Sequence, residues 1–452
     1  MEFLQNVMNY ILNDLGSAIF IPIIILILGL IVGVKFRNSI QSAITMGVAF
    51  TGMSIVIGFM VNAIGPASEA LVLNTGIDLP IIDGGWTAAA AITWTWTYAM
   101  SSFAIMIGVN LVMLTFKWTK TLNIDFWNAW GKALTSFLVF TVTGNLGFAF
   151  IAAALQCVLE LKLSDAFHKH IEDLTGIPLV STTHFMTSAV VLLMPINWVM
   201  DKIPFFNKRY DVEGVKAKIG IFSENSVMGF VLGLALGFTS AYGVSGSLNL
   251  AIQVATAMVL LPLIAKMFMT ALAPIADRMS EFTKTKFKDR EIIIGLDWPI
   301  LAGRAEVWTT MLLLVPVILL WAIVLPGNEI LPVAGILNFS IAVSGLLLTG
   351  GNILRMFVMG LITTPVYLLG ATWLAPILTD LSNQTGAIDG ITEGQRVSWS
   401  SFEAPEFRIL VSETFNGNWL AIAGSAVFVL MIIWTCKYMA KIAVPSKRYV
   451  EK

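Results

Sequence analysis

A short run of hydroxyl-bearing residues and a histidine follows a proline in the otherwise apolar segment 176–200. Pro178 lacks a backbone N–H, so a helix breaks there and carbonyl groups lose their partners. In an apolar environment such carbonyls need hydrogen-bond donors, which the hydroxyls of a bound polyol would supply. Thr182, Thr183 and His184 come next, and an imidazole both donates and accepts hydrogen bonds, as sugar hydroxyls require. The pattern predicts a polyol-binding segment; the alternative is a structural histidine bonded to a neighbouring helix.

Two acidic residues stand near tryptophans at corresponding points of the chain. Asp83 precedes Trp86 by three positions, and Asp297 directly precedes Trp298. A carboxylate accepts hydrogen bonds from two hydroxyls while an indole covers the C–H face of a sugar, so the pairing is typical of carbohydrate sites. The alternative is anchoring at the membrane–water interface, where tryptophans are enriched. That alternative weighs more for Trp86 than for Asp297.

Asparagines follow glycines at two further points. Asn145 follows one glycine and Asn352 follows two, which places amide side chains in two predicted helix breaks. Both amides are predicted to add hydrogen bonds to a bound ligand. Arg355 and Glu306 are predicted to form structural pairs inside a helix bundle rather than to bind the ligand.

Signatures of several kinds of catalysis are absent from the sequence. It contains no P-loop, no zinc-binding H-E-x-x-H helix, no G-x-S-x-G elbow and no nucleotide fingerprint. Its two cysteines, Cys157 and Cys436, provide neither a disulfide framework nor a cysteine metal site. We therefore predict no catalytic residue, no metal and no other cofactor, and any phosphoryl or ATP chemistry would need another subunit.

Composition identifies the class of protein that holds these residues. Of the 452 residues, 57% are hydrophobic and only 12% are charged, against roughly 25% charged in an ordinary soluble domain. So few charges cannot cover a water-soluble fold, and the sequence predicts an all-α polytopic membrane protein. The net charge of −1 argues against a nucleic-acid partner, which needs a basic surface. The first 34 residues lack lysine and arginine, which argues against a cleavable signal peptide.

Apolar runs of about 20 residues, the length that crosses a bilayer, recur along the chain. With segment 176–200 counted as a span or a re-entrant hairpin, they predict about eleven transmembrane helices. The other runs are 16–34, 40–62, 98–116, 133–156, 224–243, 247–270, 305–325, 333–349, 353–375 and 418–436.

Basic residues predict how these spans are oriented. Lysines and arginines cluster in the turn at 35–37, in the loops 201–223 and 275–291, and in the tail after residue 436. Because such clusters stay in the cytoplasm, we expect the N-terminus outside and the C-terminus inside. Lys162 and Lys169 are exceptions to this assignment.

The order of rare residues indicates an internal repeat. Residues 63–69 match 271–277 in the first alanine, the proline and the final acidic residue, and residues 83–86 correspond to 295–298. An odd number of spans between equivalent points inverts the second copy, giving one repeat over 1–208, another over 209–416, and a last helix with a tail over 417–452. The alternative is chance alignment of two apolar sequences. Inverted repeats are typical of transporters that hold substrate near the membrane midplane, where broken helices meet.

Several of these motifs resemble the galactitol family of IIC permeases of the bacterial phosphoenolpyruvate-dependent sugar phosphotransferase system, which is related to the ascorbate IIC permeases. Each motif is weak alone, but the ordered set covers nearly the whole chain. The motifs are 63–71, 83–86, 124–130, 294–297, 326–332 and 351–355.

The resemblance implies a sugar-alcohol permease of the bacterial inner membrane that works with separate cytoplasmic IIA and IIB proteins. IIB carries a phosphocysteine, and the sugar is phosphorylated as it is released inward. The ascorbate permeases imply a homodimer embedded in membrane lipid, in which a core moves against a dimerising scaffold by an elevator-type movement. Residues 181–188 depart from the family's Pro-His-Gly-Thr-Ser-like run, so galactitol and other polyols or sugars remain candidate substrates.

Together these observations suggest a mechanism and two rivals. A polyol would bind Asp297 and His184 in a cleft between the repeats, and phospho-IIB would dock on the loops 201–223 and 275–291. The first rival is an ion-coupled secondary transporter that needs no phosphorylation, with Asp297 or Glu306 as its ion site. The second is an integral-membrane enzyme or assembly subunit, for which the sequence lacks a nucleophile–base pair.

Overall fold

The structure is a computed structural model that describes residues 17–74, 79–125, 128–208, 224–286, 291–332, 335–385, 396–401, 403 and 406–448. It is mostly helical, as predicted. Six of its helices are long and apolar enough to cross a membrane, and five shorter apolar helices accompany them. The six are Phe36–Ala67, Leu146–Thr175, Gly243–Arg278, Ala305–Val324, Ile353–Asn383 and Trp419–Met439.

Helices and short strands follow one another in a similar order in the two parts of the chain. The first part contains α1 (Ser17–Ile31), α2 (Phe36–Leu73), β1 (Ile81–Asp83), α3 (Gly85–Trp94), α4 (Ser101–Thr115), β2 (Thr121–Asn123), α5 (Ala129–Thr143), α6 (Leu146–Thr175), β3 (Val180–Thr182) and α7 (Ala189–Met200). The second contains α8 (Asn225–Thr239), α9 (Gly243–Lys286), β4 (Ile293–Leu296), α10 (Ala305–Val324), β5 (Ile330–Leu331), α11 (Phe339–Thr349), α12 (Ile353–Thr385), β6 (Arg396–Ser398), α13 (Glu406–Phe415), α14 (Trp419–Met439) and α15 (Pro445–Arg448). Short 3-10 helices cover Phe185–Ser188, Pro204–Asn207 and Trp298–Leu301.

The strands form two parallel sheets that the sequence analysis did not predict. The first sheet has the order β2-β4-β3, and the second has the order β5-β1-β6. In each sheet the central strand comes from the other part of the chain. Strands of two to four residues are too short to show an alternating pattern, so the sequence gives little sign of them.

Glycines with a left-handed backbone end helices in two of the predicted spans, inside 133–156 and directly after 333–349. Segment 133–156 is not one helix, because Gly144 (φ 65°) ends α5 and Asn145 caps α6. Gly350 (φ 70°) ends α11 in the same way. Because α11 begins only at Phe339, it has 11 residues, or about 17 Å, well short of the roughly 30 Å hydrocarbon core.

Segment 176–200 is also interrupted, and its first and last residues lie at the same end of the helix bundle. It begins directly after α6 with β3 and ends with the 12-residue helix α7. His170, near the end of α6, is hydrogen-bonded through Nε2 to the Met439 carbonyl at 3.0 Å. Tyr438, the neighbour of Met439, forms the second contact, since its hydroxyl donates to Asp201, which directly follows α7. The ends of α6, α7 and α14 therefore lie together, which favours the re-entrant hairpin.

Helices α1, α2, α8 and α9 pack against one another, and we call them the scaffold helices. Glycines at four-residue spacing let α8 approach α9 closely. A Cβ added at Gly229, Gly233 or Gly237 would lie 2.6–2.8 Å from a Cα atom of α9. The facing residues are Ala255, Ala251 and Ser247. Small residues allow such contacts in membrane helices, where packing replaces the hydrophobic effect.

We expect Gly233→Leu to separate α8 from α9 and to cost roughly 1–3 kcal/mol, because overpacking forces the backbones apart. Thermal unfolding of the purified protein in detergent measures this loss. Gly58→Leu on α2 is the matched control, because nothing lies within 4 Å of a Cβ added there. Equal stability of the two variants would show that the glycine contact contributes nothing.

Candidate functional site

The first sheet brings together side chains that are far apart in the sequence. His184 follows β3, Asp297 follows β4 and Asp125 follows β2. Because the three strands are parallel, these residues leave the same edge of the sheet. His184 Nε2 lies 3.9 Å from Asp297 Oδ1, and both side chains are buried. Two residues predicted to bind a ligand thus lie side by side.

The tautomer of His184 is fixed by a backbone contact. The Met186 N–H donates to His184 Nδ1 at 3.1 Å, so Nδ1 carries a lone pair and the neutral ring carries its proton on Nε2. The 3.9 Å gap between Nε2 and Asp297 Oδ1 is too long for a direct hydrogen bond. A hydroxyl group placed between them can accept from Nε2 and donate to the carboxylate. This arrangement suits one hydroxyl of a polyol.

The second sheet contributes Glu403, which sequence reasoning missed. Glu403 lies beyond the carboxyl end of β6, and its Oε2 is 4.0 Å from His184 Nδ1. The Ser340 hydroxyl donates to Glu403 Oε1 at 3.4 Å. His184 therefore lies between carboxylates that follow strands of different sheets.

A third carboxylate, Asp125, completes the acidic side of the site. Asn128 Nδ2 donates to Asp125 Oδ2 at 2.7 Å. Asp125 Oδ1 is buried and has no hydrogen-bond partner among the residues that the structure describes. A buried oxygen of this kind is an acceptor that a ligand hydroxyl can use.

A buried ion pair connects α5 and α6 near the site. Lys132 Nζ lies 2.7 Å from Glu160 Oε2, and each side chain is 1% exposed. Gln156 Nε2 donates to Glu160 Oε1 at 2.9 Å, and Arg408 Nε donates to Thr135 Oγ1 at 3.0 Å. Lys132 and Glu160 were not among the predicted site residues, because they lie just outside the predicted span 133–156. Single charges inside an apolar helix were the available signal.

Three tryptophans form a contiguous aromatic cluster. The ring centroids of Trp86 and Trp130 are 6.3 Å apart, and those of Trp130 and Trp399 are 5.4 Å apart. Trp86 is 50% exposed, whereas the other two are buried. Trp298 packs against Phe339 at 4.8 Å. The cluster supplies apolar ring faces next to helix α5, which carries Lys132.

Asp83 organises the second sheet through hydrogen bonds that the protein itself supplies. It accepts from the backbone N–H groups of Gly335 at 2.8 Å, Ser400 at 3.2 Å and Gly85 at 3.2 Å. The Ser400 hydroxyl also donates to it. Its acceptor capacity is therefore largely used within the fold.

The two threonines lie at the site, where their hydroxyls contact protein groups. Thr183 Oγ1 donates to Asn123 Oδ1 at 2.8 Å, which links the end of β3 to β2. The backbone N–H of His184 donates to Thr182 Oγ1 at 3.4 Å. Both hydroxyls hold the edge of the sheet from which His184 projects.

The structure places the two asparagines at helix starts, where their side chains contact protein groups. Asn145 is exposed and accepts from the Gly147 and Phe148 N–H groups. Asn352 is buried, accepts from the Arg355 N–H at 3.1 Å and donates to the Lys208 carbonyl at 3.0 Å. These contacts cap α6 and anchor the segment that follows α7.

The structural pairing predicted for Arg355 and Glu306 is confirmed. Arg355 Nη1 lies 2.6 Å from Asp201 Oδ1 and also donates to Asn197 Oδ1 at 3.1 Å. Glu306 accepts from Arg304 Nη2 at 2.8 Å. Both residues use their charges to join neighbouring elements.

Comparison with known proteins identifies the family. Residues 10–390 match EIIC-GAT, described as PTS system sugar-specific permease component. The chain is 32% identical over 390 residues to the PTS system galactitol-specific EIIC component of Escherichia coli strain K12, covering 85% of this chain and 86% of that protein. It is 30% identical over 414 residues to a putative permease IIC component of the same strain, covering 89% and 94%.

The match over most of the chain and the apolar helices lead to the same assignment. The protein belongs to the EIIC-GAT family of sugar permeases of the phosphotransferase system, and it is a multi-pass protein of the inner membrane.

Proposed function

We propose that this permease binds galactitol or a closely related polyol between His184 and Asp297 and translocates it for phosphorylation by a separate phospho-IIB. The observation that carries the proposal is the 3.9 Å gap between His184 Nε2 and Asp297 Oδ1. A donor, Nε2–H, lies on one side of this gap and an acceptor, Oδ1, on the other, which is the combination that a hydroxyl needs. The relative named as galactitol-specific supports a polyol substrate.

Neighbouring groups would bind the remaining hydroxyls. Glu403 and Asp125 offer buried carboxylate oxygens on two sides, and Asn128 offers an amide. Trp130 and Trp298 would cover C–H faces of the carbon chain. In this proposal Thr182, Thr183, Asp83, Asn145 and Asn352 act mainly by holding the elements that carry the ligand-binding groups.

The strand order supports an inverted repeat over 1–208 and 209–416. β4 is the central strand of the first sheet, between β2 and β3, and β1 is the central strand of the second, between β5 and β6. The central strand of each sheet therefore comes from the repeat that does not supply the two flanking strands. The glycine turns before Asn145 and Asn352 also correspond. The boundary at 208 adjoins residues 209–223, which lie outside the described residues.

We propose that the common end of α6, α7 and α14 is cytoplasmic, with the N-terminus outside. Helix α14 leads into the basic tail, which is expected to remain inside. Arg278 Nη2 donates to the Gly33 carbonyl at 3.2 Å, so the first basic turn lies beside the end of α9. Because α6 continues to Thr175, Lys162 and Lys169 fall in the half that leads to the cytoplasmic end. The two exceptions to the orientation rule then disappear.

The scaffold helices are the part of the fold best suited to a fixed, dimerising body. Their outer faces carry exposed apolar side chains, among them Ile44, Ile55, Val244 and Ile252. A second copy or lipid would cover them. An elevator-type movement of the two sheets and their helices against this scaffold would carry the bound polyol inward.

Phosphoryl transfer would depend on partner proteins. Cys157 is buried, and we propose that the phosphocysteine comes from IIB, recharged through IIA. The loops 201–223 and 275–291 would attract that partner, although residues 209–223 and 287–290 lie outside the described residues. Since His184 Nδ1 already accepts a hydrogen bond, Asp297 is the better candidate to accept the substrate proton. Nearby carboxylates would then repel the phosphorylated product.

One observation favours an ion-coupled transporter as the second candidate. Asp125 Oδ1 is a buried carboxylate oxygen without a partner among the described residues, in a site that holds two further acids. A cation or proton would compensate such a group. Glu306, the other ion site considered, is instead paired with Arg304.

The deciding experiment is uptake of labelled galactitol into sealed vesicles that enclose phosphorylated IIB and IIA, or the unphosphorylated proteins. We expect label to accumulate as sugar phosphate only with the phosphorylated partners. Accumulation of unmodified galactitol under an ion gradient alone would support the secondary transporter instead.

We expect Asp297→Asn to weaken galactitol binding about 10- to 100-fold, because a hydrogen bond to a charged group contributes about 1.5–3 kcal/mol. Equilibrium binding to the purified protein measures the change. Asp277→Asn, at an exposed position of α9, is the matched control. Unchanged binding in Asp297→Asn would remove this residue from the site.

His184→Asn tests the roles of the two ring nitrogens separately. Its amide oxygen can still accept from the Met186 N–H, so the fold should keep its thermal stability. The donor beside Asp297 is lost, and we expect binding to weaken about tenfold, or about 1.4 kcal/mol. His184→Gln, which places an amide N–H near the former Nε2, should bind better than His184→Asn. The reverse order would contradict the proposed role of Nε2.

A further inference from the structure

An apolar groove lies between α4 and α6. It encloses about 640 Å³. Its floor and walls include Ala104, Gly108, Val112, Ala154 and Val158. A polyol has no hydroxyl partners along such a surface, so the groove does not belong to the sugar site.

Small residues create the shape of the groove. Nothing lies within 4 Å of a Cβ added at Gly108, so this glycine leaves open space in the face of α4. The lining residues of α4 run from Ala104 to Met113, which is about 14 Å along a helix. Half of a hydrocarbon core of roughly 30 Å is about 15 Å. The groove therefore matches the depth of one leaflet.

One end of the groove is cationic and aromatic. Lys162 and Trp118 both line it, and Lys162 Nζ donates to the Trp118 carbonyl. Lys117, next to Trp118, is exposed, and the Trp118 ring is 57% exposed. Lysine and tryptophan side chains are typical of the headgroup level of a membrane.

Two acidic groups close in the fold to this end already contact other residues. Asp165 Oδ1 accepts from the Thr119 hydroxyl at 2.9 Å and from the Lys120 N–H at 3.0 Å. Lys120 Nζ lies 3.7 Å from Glu291. No described acidic side chain is paired with Lys162 or Lys117. Their charges are therefore available to an anionic ligand.

We propose that this groove binds an anionic phospholipid, with one acyl chain along α4 and α6 and its phosphate beside Lys162 and Lys117. The apolar trough fits the chain, and the single cationic end fits the phosphodiester. The bound lipid would cover the outer face of α6, the helix that carries Glu160 of the buried ion pair. The proposal does not depend on which sugar the permease carries.

The test measures lipid retention by native mass spectrometry of the purified full-length protein. The protein is offered equal amounts of dioleoyl phosphatidylglycerol and dioleoyl phosphatidylcholine. We expect the wild type to retain several-fold more phosphatidylglycerol. The double variant Lys117→Gln, Lys162→Gln should bring the ratio close to one, because glutamine keeps a polar side chain but removes the charge. Lys441→Gln, at an exposed tail position, is the charge control.

A second variant tests the chain-binding part of the groove. Gly108→Leu fills the trough and should reduce retention of both lipids, whereas Gly58→Leu, which meets open space on α2, should not. Equal retention of the two lipids by the wild type would overturn the proposal. So would an unchanged ratio in the double lysine variant, whatever the effect of Gly108→Leu on folding.

Discussion

The fold depends on the need to satisfy backbone hydrogen bonds where helices are interrupted inside an apolar slab. In lipid, an unpaired N–H or C=O group costs several kcal/mol, so an irregular segment there must find protein partners. Here two short parallel sheets, each built from both parts of the sequence, supply those hydrogen-bond partners. Because strands from distant segments depend on one another, neither part can form its interrupted segments alone. The same pairing aligns the carboxyl ends from which His184 and Asp297 project.

Charge burial is the second constraint, and it follows from the first. The sheets and α5 gather more buried acids than bases, an arrangement that costs stability unless ligands or protons compensate. Hydroxyl donors of a polyol offer such compensation, whereas a sugar phosphate adds negative charge. In the proposed function, the excess of buried acids binds the neutral polyol and repels the phosphorylated product. Near the sheets, the described buried acids are Asp83, Asp125, Glu160, Asp297 and Glu403, and the described buried bases are Lys132 and Arg408.

The scaffold helices follow a different rule. Close glycine contacts and apolar outer faces dominate them, as expected where membrane helices associate mainly by packing. The polar contacts instead concentrate around the two sheets and around Arg355, which joins α12 to Asp201 at the end of α7. The proposed movement of a core against a fixed scaffold would use this division between a packed body and a hydrogen-bonded body.

From the sequence alone came the membrane class, the resemblance to the family, the predicted helix breaks at Gly144 and Gly350, and the choice of Asp297 and His184 as site residues. Those features depend on composition, local backbone preference and rare residues, none of which requires knowledge of contacts between distant segments. Only the tertiary structure placed His184 beside Asp297, added Glu403 from the other sheet, and used Asn352 as a cap. The reason is physical: strand pairing and burial are long-range, so a residue's partners depend on segments hundreds of positions away.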